Sequence, residues 1–336
     1  MRATPVDYIF PEISRGSRTR IAFVDLAKCI ALCWVIWEHT EANYMMRIID
    51  NVILPVFWVC SGYTTKYDFS LRSKTKLIAY YFALSFACVI YAVFYRHVTL
   101  TADDFWGILY ARYCFYDAPA SASNPCLLPI YNGVLWFVPS LFTTYCVYKL
   151  LLLGKSFRAQ ALLCILSLVI ATFLDMLPIL LPWSIDSAFV YAVFMCVGGW
   201  LRKYDVMSRA SLAMTLAMVV LYLCLDRVTW TTNPSMRDYG LNWPSYILTA
   251  SVGVTALLML CRYLEHTWLA RVAVWFDVEA IFIFGLQTIF LSWFVEITSG
   301  MFESWKVRVA LDLAVCFVGG FIVGKIYRLI TLVFRR

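Results

Sequence analysis

Charge is what this sequence has least of. Asp, Glu, Lys and Arg make up 15% of its 336 residues, against roughly 25% in a soluble domain. Histidine is scarce, with three in all. Twelve cysteines are present, but no CxxC pair and no Cys/His ligand spacing occurs, which leaves zinc and redox motifs unsupported. Ten of them lie in or beside apolar segments, where a thiol acts as a small hydrophobe. Tandem repeats and low-complexity tracts are missing, so neither a solenoid nor a linker-joined second domain is expected. The first twenty residues are polar and basic, with no short apolar run ending in a small-residue cleavage site, so no cleavable signal peptide is read.

What is there is apolar: 62% of the chain is hydrophobic and 17% aromatic. This composition predicts an all-α polytopic membrane protein. About ten spans are expected, near 21–39, 48–65, 77–96, 132–153, 159–181, 186–202, 209–225, 243–261, 273–295 and 308–328. Pro55 and Gly62 predict a kinked or broken second span. Residues 1–19 read as a cytoplasmic N-terminal segment. Residues 20–336 read as a single transmembrane domain whose long segment 97–131, rich in Asp, Pro and aromatics, forms an outer lobe with a short helix near 103–112. Lys and Arg divide 20 to 7 between alternating loops, which predicts both termini in the cytoplasm. The net charge of +7 follows from those basic inner loops, so no nucleic-acid partner is expected. Cys114 and Cys126 share the outer lobe, where an oxidising compartment would let them pair.

The stretch from Arg20 to His39 is long enough to span a bilayer, yet it holds Asp25, Lys28, Glu38 and His39. Ionisable groups inside a membrane are costly and usually functional. Lys28 and His39 are eleven residues apart, about 16 Å of helical rise and roughly 20° beyond three full turns, so they share a face. One helix thus offers a cation toward the cytoplasmic surface and an imidazole toward the outer one. Histidine is the commonest general base. Glu38 projects about 100° away from it, so an orienting carboxylate would come from elsewhere, such as Asp103, Asp104 or Asp117. Asp25 sits three residues from Lys28 and either neutralises it or leaves it, with Arg20, to receive an anion from the cytoplasm. Ser61 and Gly62 read as a helix-packing notch or as a cavity wall, and Trp136 as an interfacial anchor.

The pattern Asp25-x2-Lys28-x10-His39, followed by FWVCSGY over residues 57–63 and LWFVPSLF over 135–142, resembles the integral-membrane acyltransferase family 3. Its nearest likeness is to the fucose 4-O-acetylase-like and sugar O-acetyltransferase branch. The resemblance implies that His39 is the general base for an acceptor hydroxyl. It further implies that Lys28, with Arg20, Asp25, Ser61, Gly62, Tyr63 and Trp136, binds acetyl-CoA or holds the active helix. Many members carry a second histidine in the penultimate span, where this chain has Gln287. The expected protein is a multi-pass enzyme of a bacterial cytoplasmic (inner) membrane, with acetyl-CoA as acyl donor and no metal. Its acceptor would be a lipid-linked or nascent glycan held by the outer lobe. An ion- or proton-coupled transporter using the same charged helix is the rival class, and a non-catalytic scaffold is the third.

Overall fold

A computed structural model describes residues 20–40, 48–118, 121, 123–298, 301 and 304–333. The expected N-terminal segment 1–19 and the link 41–47 lie outside the described residues. Within them the chain is helical with no strand, as the composition requires: in lipid each backbone polar group must be satisfied inside its own segment.

The helices are α1 (Ala22–Glu38), α2 (Asp50–Thr64), α3 (Lys76–Ile90, continued by a π-turn over Tyr91–Tyr95) and α4 (Ala102–Tyr110). Next come α5 (Phe137–Leu151), α6 (Phe157–Asp175), α7 (Ile185–Lys203) and α8 (Leu212–Thr229). The last four are α9 (Trp243–Leu264), α10 (Trp268–Asp277), α11 (Ala280–Thr298) and α12 (Trp305–Val333). Eight are long and apolar enough to cross a membrane: α3, α5 to α9, α11 and α12. The other two expected spans, α1 and α2, are shorter at 17 and 15 residues. They are buried among the others, which is why they tolerate charge and proline.

Three expectations about this layout change. First, α2 runs unbroken through Pro55, and Gly62 serves close packing rather than a break. A Cβ on Gly62 would lie 1.9 Å from the Met195 carbonyl oxygen, and one on Gly198 would lie 2.0 Å from that of Val59. Reciprocal glycines thus let α2 and α7 pack backbone to backbone. Second, the expected span 273–295 is divided. The amphipathic α10 ends at Asp277, and α11 starts only at Ala280, because the intervening carboxylates are each claimed by a cation: Asp277 by Lys28 and Arg20, Glu279 by Arg328. Third, Cys114 and Cys126 face one another across an isolated antiparallel bridge, yet both are free. Burial pushes the Cys114 thiol up to about 11.

The outer lobe is tied down from beneath. Arg112 and Arg237, both buried, converge on the fully buried Asp186, at 3.3 Å and 3.5 Å. Arg112 also donates to Ser184 Oγ (2.6 Å) and Ser187 Oγ (3.2 Å), and Arg237 to the carbonyls of Leu174 and Leu177 at 2.8 Å each. Around Arg112 the non-glycine residues Ala111, Trp183 and Ser184 adopt left-handed backbone with φ of 54–55°, a conformation that persists only where surrounding contacts over-determine it.

Candidate functional site

α1 carries both chemical ends expected of it, and the two ends are built differently. At the first, Lys28 Nζ lies 2.8 Å from Asp277 Oδ2 and 3.0 Å from Asp25 Oδ1, while Arg20 Nη1 reaches the same two carboxylates at 3.3 Å each. Arg20 also donates to the Val274 carbonyl at 3.1 Å. Two cations and two carboxylates cancel, so the quartet fastens α1 to α10 and offers an incoming anion little net charge. Of the two readings of Asp25 and Lys28 left open by spacing alone, the geometry favours mutual neutralisation, with Asp277 as the member that spacing could not supply.

At the other end His39 is exposed, one residue past α1. Its Nδ1 lies 2.7 Å from the Val35 carbonyl oxygen. A carbonyl can only accept, so in the neutral ring Nδ1 carries the proton and Nε2 is the basic nitrogen. The orienting group is therefore a backbone carbonyl one turn earlier. None of the carboxylates considered above is engaged there: Asp104 closes a capping box with Thr101 at the start of α4, Asp103 lies in the same first turn, and Asp117 pairs with Arg237 at 3.3 Å.

His39 stands between two cavities. One, of about 390 Å³, is walled by α1, α2, α5, α11 and the segment 232–235; Leu54, Trp136, Phe137 and Phe284 line part of it, and Glu38, Asp50, Asn233 and Ser235 bring polar groups to the rest. The other, of about 770 Å³, lies under the outer lobe and is lined by Arg96, Tyr113, Tyr131, Ser292 and Glu296. His39, Tyr113 and Thr288 line both, so they form the shared wall. Thr288 donates to the Tyr131 carbonyl, and Arg96 pairs with Glu296 while lying 5.9 Å over the Tyr131 ring. Both cavities fall within the 300–1,000 Å³ usual for small-molecule sites.

A family model described as an acyltransferase domain matches residues 21–294. The chain belongs to acyltransferase family 3. No curated protein matches it. As a family member it is a membrane acyltransferase, and the matched residues take in α1, the smaller cavity, the 97–131 lobe and the larger cavity apart from Val295 and Glu296.

The remaining motif residues of this acyltransferase divide between the two ends. Trp136 is nearly buried in the wall of the smaller His39 cavity. Ser61, Gly62 and Tyr63 sit at the Lys28 end: the Tyr63 ring meets Phe23 edge-on at 5.6 Å, and its carbonyl accepts from Arg202 Nη1 at 3.2 Å. The Ser61 hydroxyl faces that of Tyr145, and Gly62 lines a third cavity. Gln287 is fully buried and lines neither His39 cavity, but its neighbour Thr288 lines both. The wall residues Tyr113, Tyr131, Thr288, Arg96 and Glu296 carried no motif; only the aromatic content of the lobe hinted at the first two.

Proposed function

We propose that this acyltransferase moves an acetyl group from acetyl-CoA, supplied from the cytoplasm, to a hydroxyl of an envelope or exported glycan, with His39 as general base. The observation that carries the reading is the bond from Nδ1 to the Val35 carbonyl, which leaves Nε2 as the base on the wall shared by two cavities. The smaller cavity has an apolar stretch of Leu54, Trp136, Phe137 and Phe284 that suits an acetyl thioester. The larger one combines tyrosine faces with hydroxyl and charged groups, the mix that suits a sugar, and several of its residues come from the 97–131 lobe.

In the transfer, Nε2 takes the proton from the acceptor hydroxyl as that oxygen attacks the thioester carbonyl. The C–O bond forms, the C–S bond breaks, and the departing thiolate takes the proton back from the imidazolium. The products are an O-acetyl ester and free CoA. Direct transfer is preferred to an acetylated protein intermediate because, among the described residues, the shared wall carries no serine or cysteine next to a base. The basic-residue asymmetry supports the Lys28 end facing the cytoplasm and the His39 end facing outward, as such a transfer across a bacterial inner membrane needs. Family membership and the closed quartet leave the ion-path reading second.

The test is mass spectrometry of the host's surface glycans with the wild-type protein, with His39→Ala, and without the protein. Loss of acetyl mass increments in the last two supports the reading. Full acetylation by a folded His39→Ala protein would sink it.

A further inference from the structure

The acyl donor proposed above has a nucleotide carrying several phosphates, and the quartet around Lys28 has little charge to give it. The third cavity does. Of about 480 Å³, it opens at the same end of the bundle, where α2, α5 and α7 finish and α6 begins. Lys66, Lys155, Arg202 and Lys203 line it, and no carboxylate does among the described residues. Basic side chains gathered between membrane helices are the usual seat of phosphate-bearing head groups. Two of the aromatic lining residues have their polar tips engaged by protein: Tyr67 OH donates to the Gly154 carbonyl at 2.6 Å, and Trp200 Nε1 to Gln160 Oε1 at 2.6 Å. Their rings are left as walls of a kind that stack a base.

Two facing rows of side chains connect this cavity with the one beside His39. The helices α2 and α5 each pack on α7, and they face one another through side chains. On α2, Leu54, Trp58, Ser61 and Thr65 recur at i, i+4, i+7 and i+11, one face of the helix. On α5, Phe137, Ser140, Thr144 and Tyr148 recur at i, i+3, i+7 and i+11, again one face. Leu54 and Phe137 line the smaller His39 cavity, while Thr65 and Tyr148 line the basic one. Eleven residues of rise make the seam about 16 Å long, the same span that separates Lys28 from His39.

Polar groups wait along it. Trp58 Nε1 and Ser140 Oγ are fully buried and have no hydrogen-bond partner. Such orphans are rare in native interiors, where more than 90% of buried polar groups are paired. Phe57 and Phe137 close the seam toward its His39 end, with ring centroids 5.6 Å apart.

From these observations we infer that the Lys66–Lys203 cavity seats a nucleotide carrying several phosphates. Its extended, amide-bearing arm then runs along the α2–α5 seam to His39, with Trp58 Nε1 donating to an arm carbonyl and Ser140 Oγ bonding an arm amide. This rests on the acyl-CoA reading above and assigns its donor site.

The experiment is calorimetric titration of the full-length protein, in nanodiscs of zwitterionic lipid, with coenzyme A and with adenosine 3′,5′-bisphosphate, which has the phosphates but no arm. Arg202→Gln/Lys203→Gln should weaken both ligands at least tenfold, and so should Lys66→Gln/Lys155→Gln on the loops, where misfolding is not a concern. Ser140→Leu should weaken coenzyme A at least tenfold and leave the bisphosphate unchanged. Wild-type bisphosphate affinity in both double variants would overturn the assignment, as would loss of nucleotide binding when the nanodiscs are instead prepared with anionic lipid, which would make the cavity a lipid head-group site. If the protein binds the nucleotide here but transfers no acyl group, the proposed reaction fails and the site stands. If transfer proceeds with an unchanged donor KM in both double variants, the site fails and the reaction stands.

Discussion

The two ends of α1 both carry ionisable side chains in a membrane helix, and they solve the cost of doing so in opposite ways. At Lys28 charge meets charge, with each cation in reach of two carboxylates. At His39 a single backbone carbonyl fixes the ring, and the other nitrogen borders two cavities. The first arrangement spends its polarity on holding helices together. The second keeps its polarity available. A charged residue in a membrane span is thus a sign of function only once its partners have been counted.

The largest effect that tests this contrast is on His39. His39→Ala should lower acetyl transfer by about 10²–10⁴-fold, the usual contribution of a general base, with an unchanged melting temperature in detergent. A wild-type rate would erase the difference between the two ends. Lys28→Met should do the reverse. It leaves Asp25 and Asp277 sharing Arg20, and should cost about 2 kcal/mol of stability, below the 3–5 kcal/mol for a fully buried pair because the Lys28 side chain is 25% exposed. Lys28→Met/Asp277→Asn should recover most of that loss, measured by thermal unfolding. A donor KM that rises in Lys28→Met and stays high in the rescued variant would return Lys28 to donor binding.

A smaller effect sharpens the comparison from the packing side. Gly62→Ala forces α2 away from Met195, since no Cβ fits at 1.9 Å, and should cost about 1–3 kcal/mol as an overpacked contact. The smallest effect concerns the carboxylates once considered as partners for His39. Asp104→Ala removes the capping box of α4, should cost about 1 kcal/mol, and should leave the transfer rate unchanged. A slowed rate would mean that His39 is oriented from the lobe after all.

Much of this was legible from residue order. Apolar composition sufficed for a helical membrane bundle because lipid allows few alternatives, and the eleven-residue spacing put Lys28 and His39 on one face of a real helix. The short helix near 103–112 was also readable, while the Thr101 cap that starts it was not. What spacing could not reach was anything set by a partner distant in sequence. Asp277 lies about 250 positions from Lys28, so the quartet was invisible, and so was the break before α11 that it helps impose. The Val35 carbonyl escaped for a different reason: backbone acceptors leave no mark in a sequence. Gly62 read both as a helix breaker and as a packing notch, and the notch is what the structure has; its partner, the backbone of α7, is more than 130 residues away.

The buried junction of Arg112, Asp186 and Arg237 bears on how substrates come and go. Breaking an ion pair with both partners fully desolvated costs about 3–5 kcal/mol, and here such pairs hold left-handed backbone on both sides of the junction. The part of the lobe around Arg112 is therefore a fixed rim. Its amides near Arg112 should exchange with deuterium as slowly as those of α7 beneath it. An acceptor would then meet a mouth that is already formed, and turnover would be paced by the acceptor's own diffusion and by chemistry at His39, with no closing step of the lobe in the cycle.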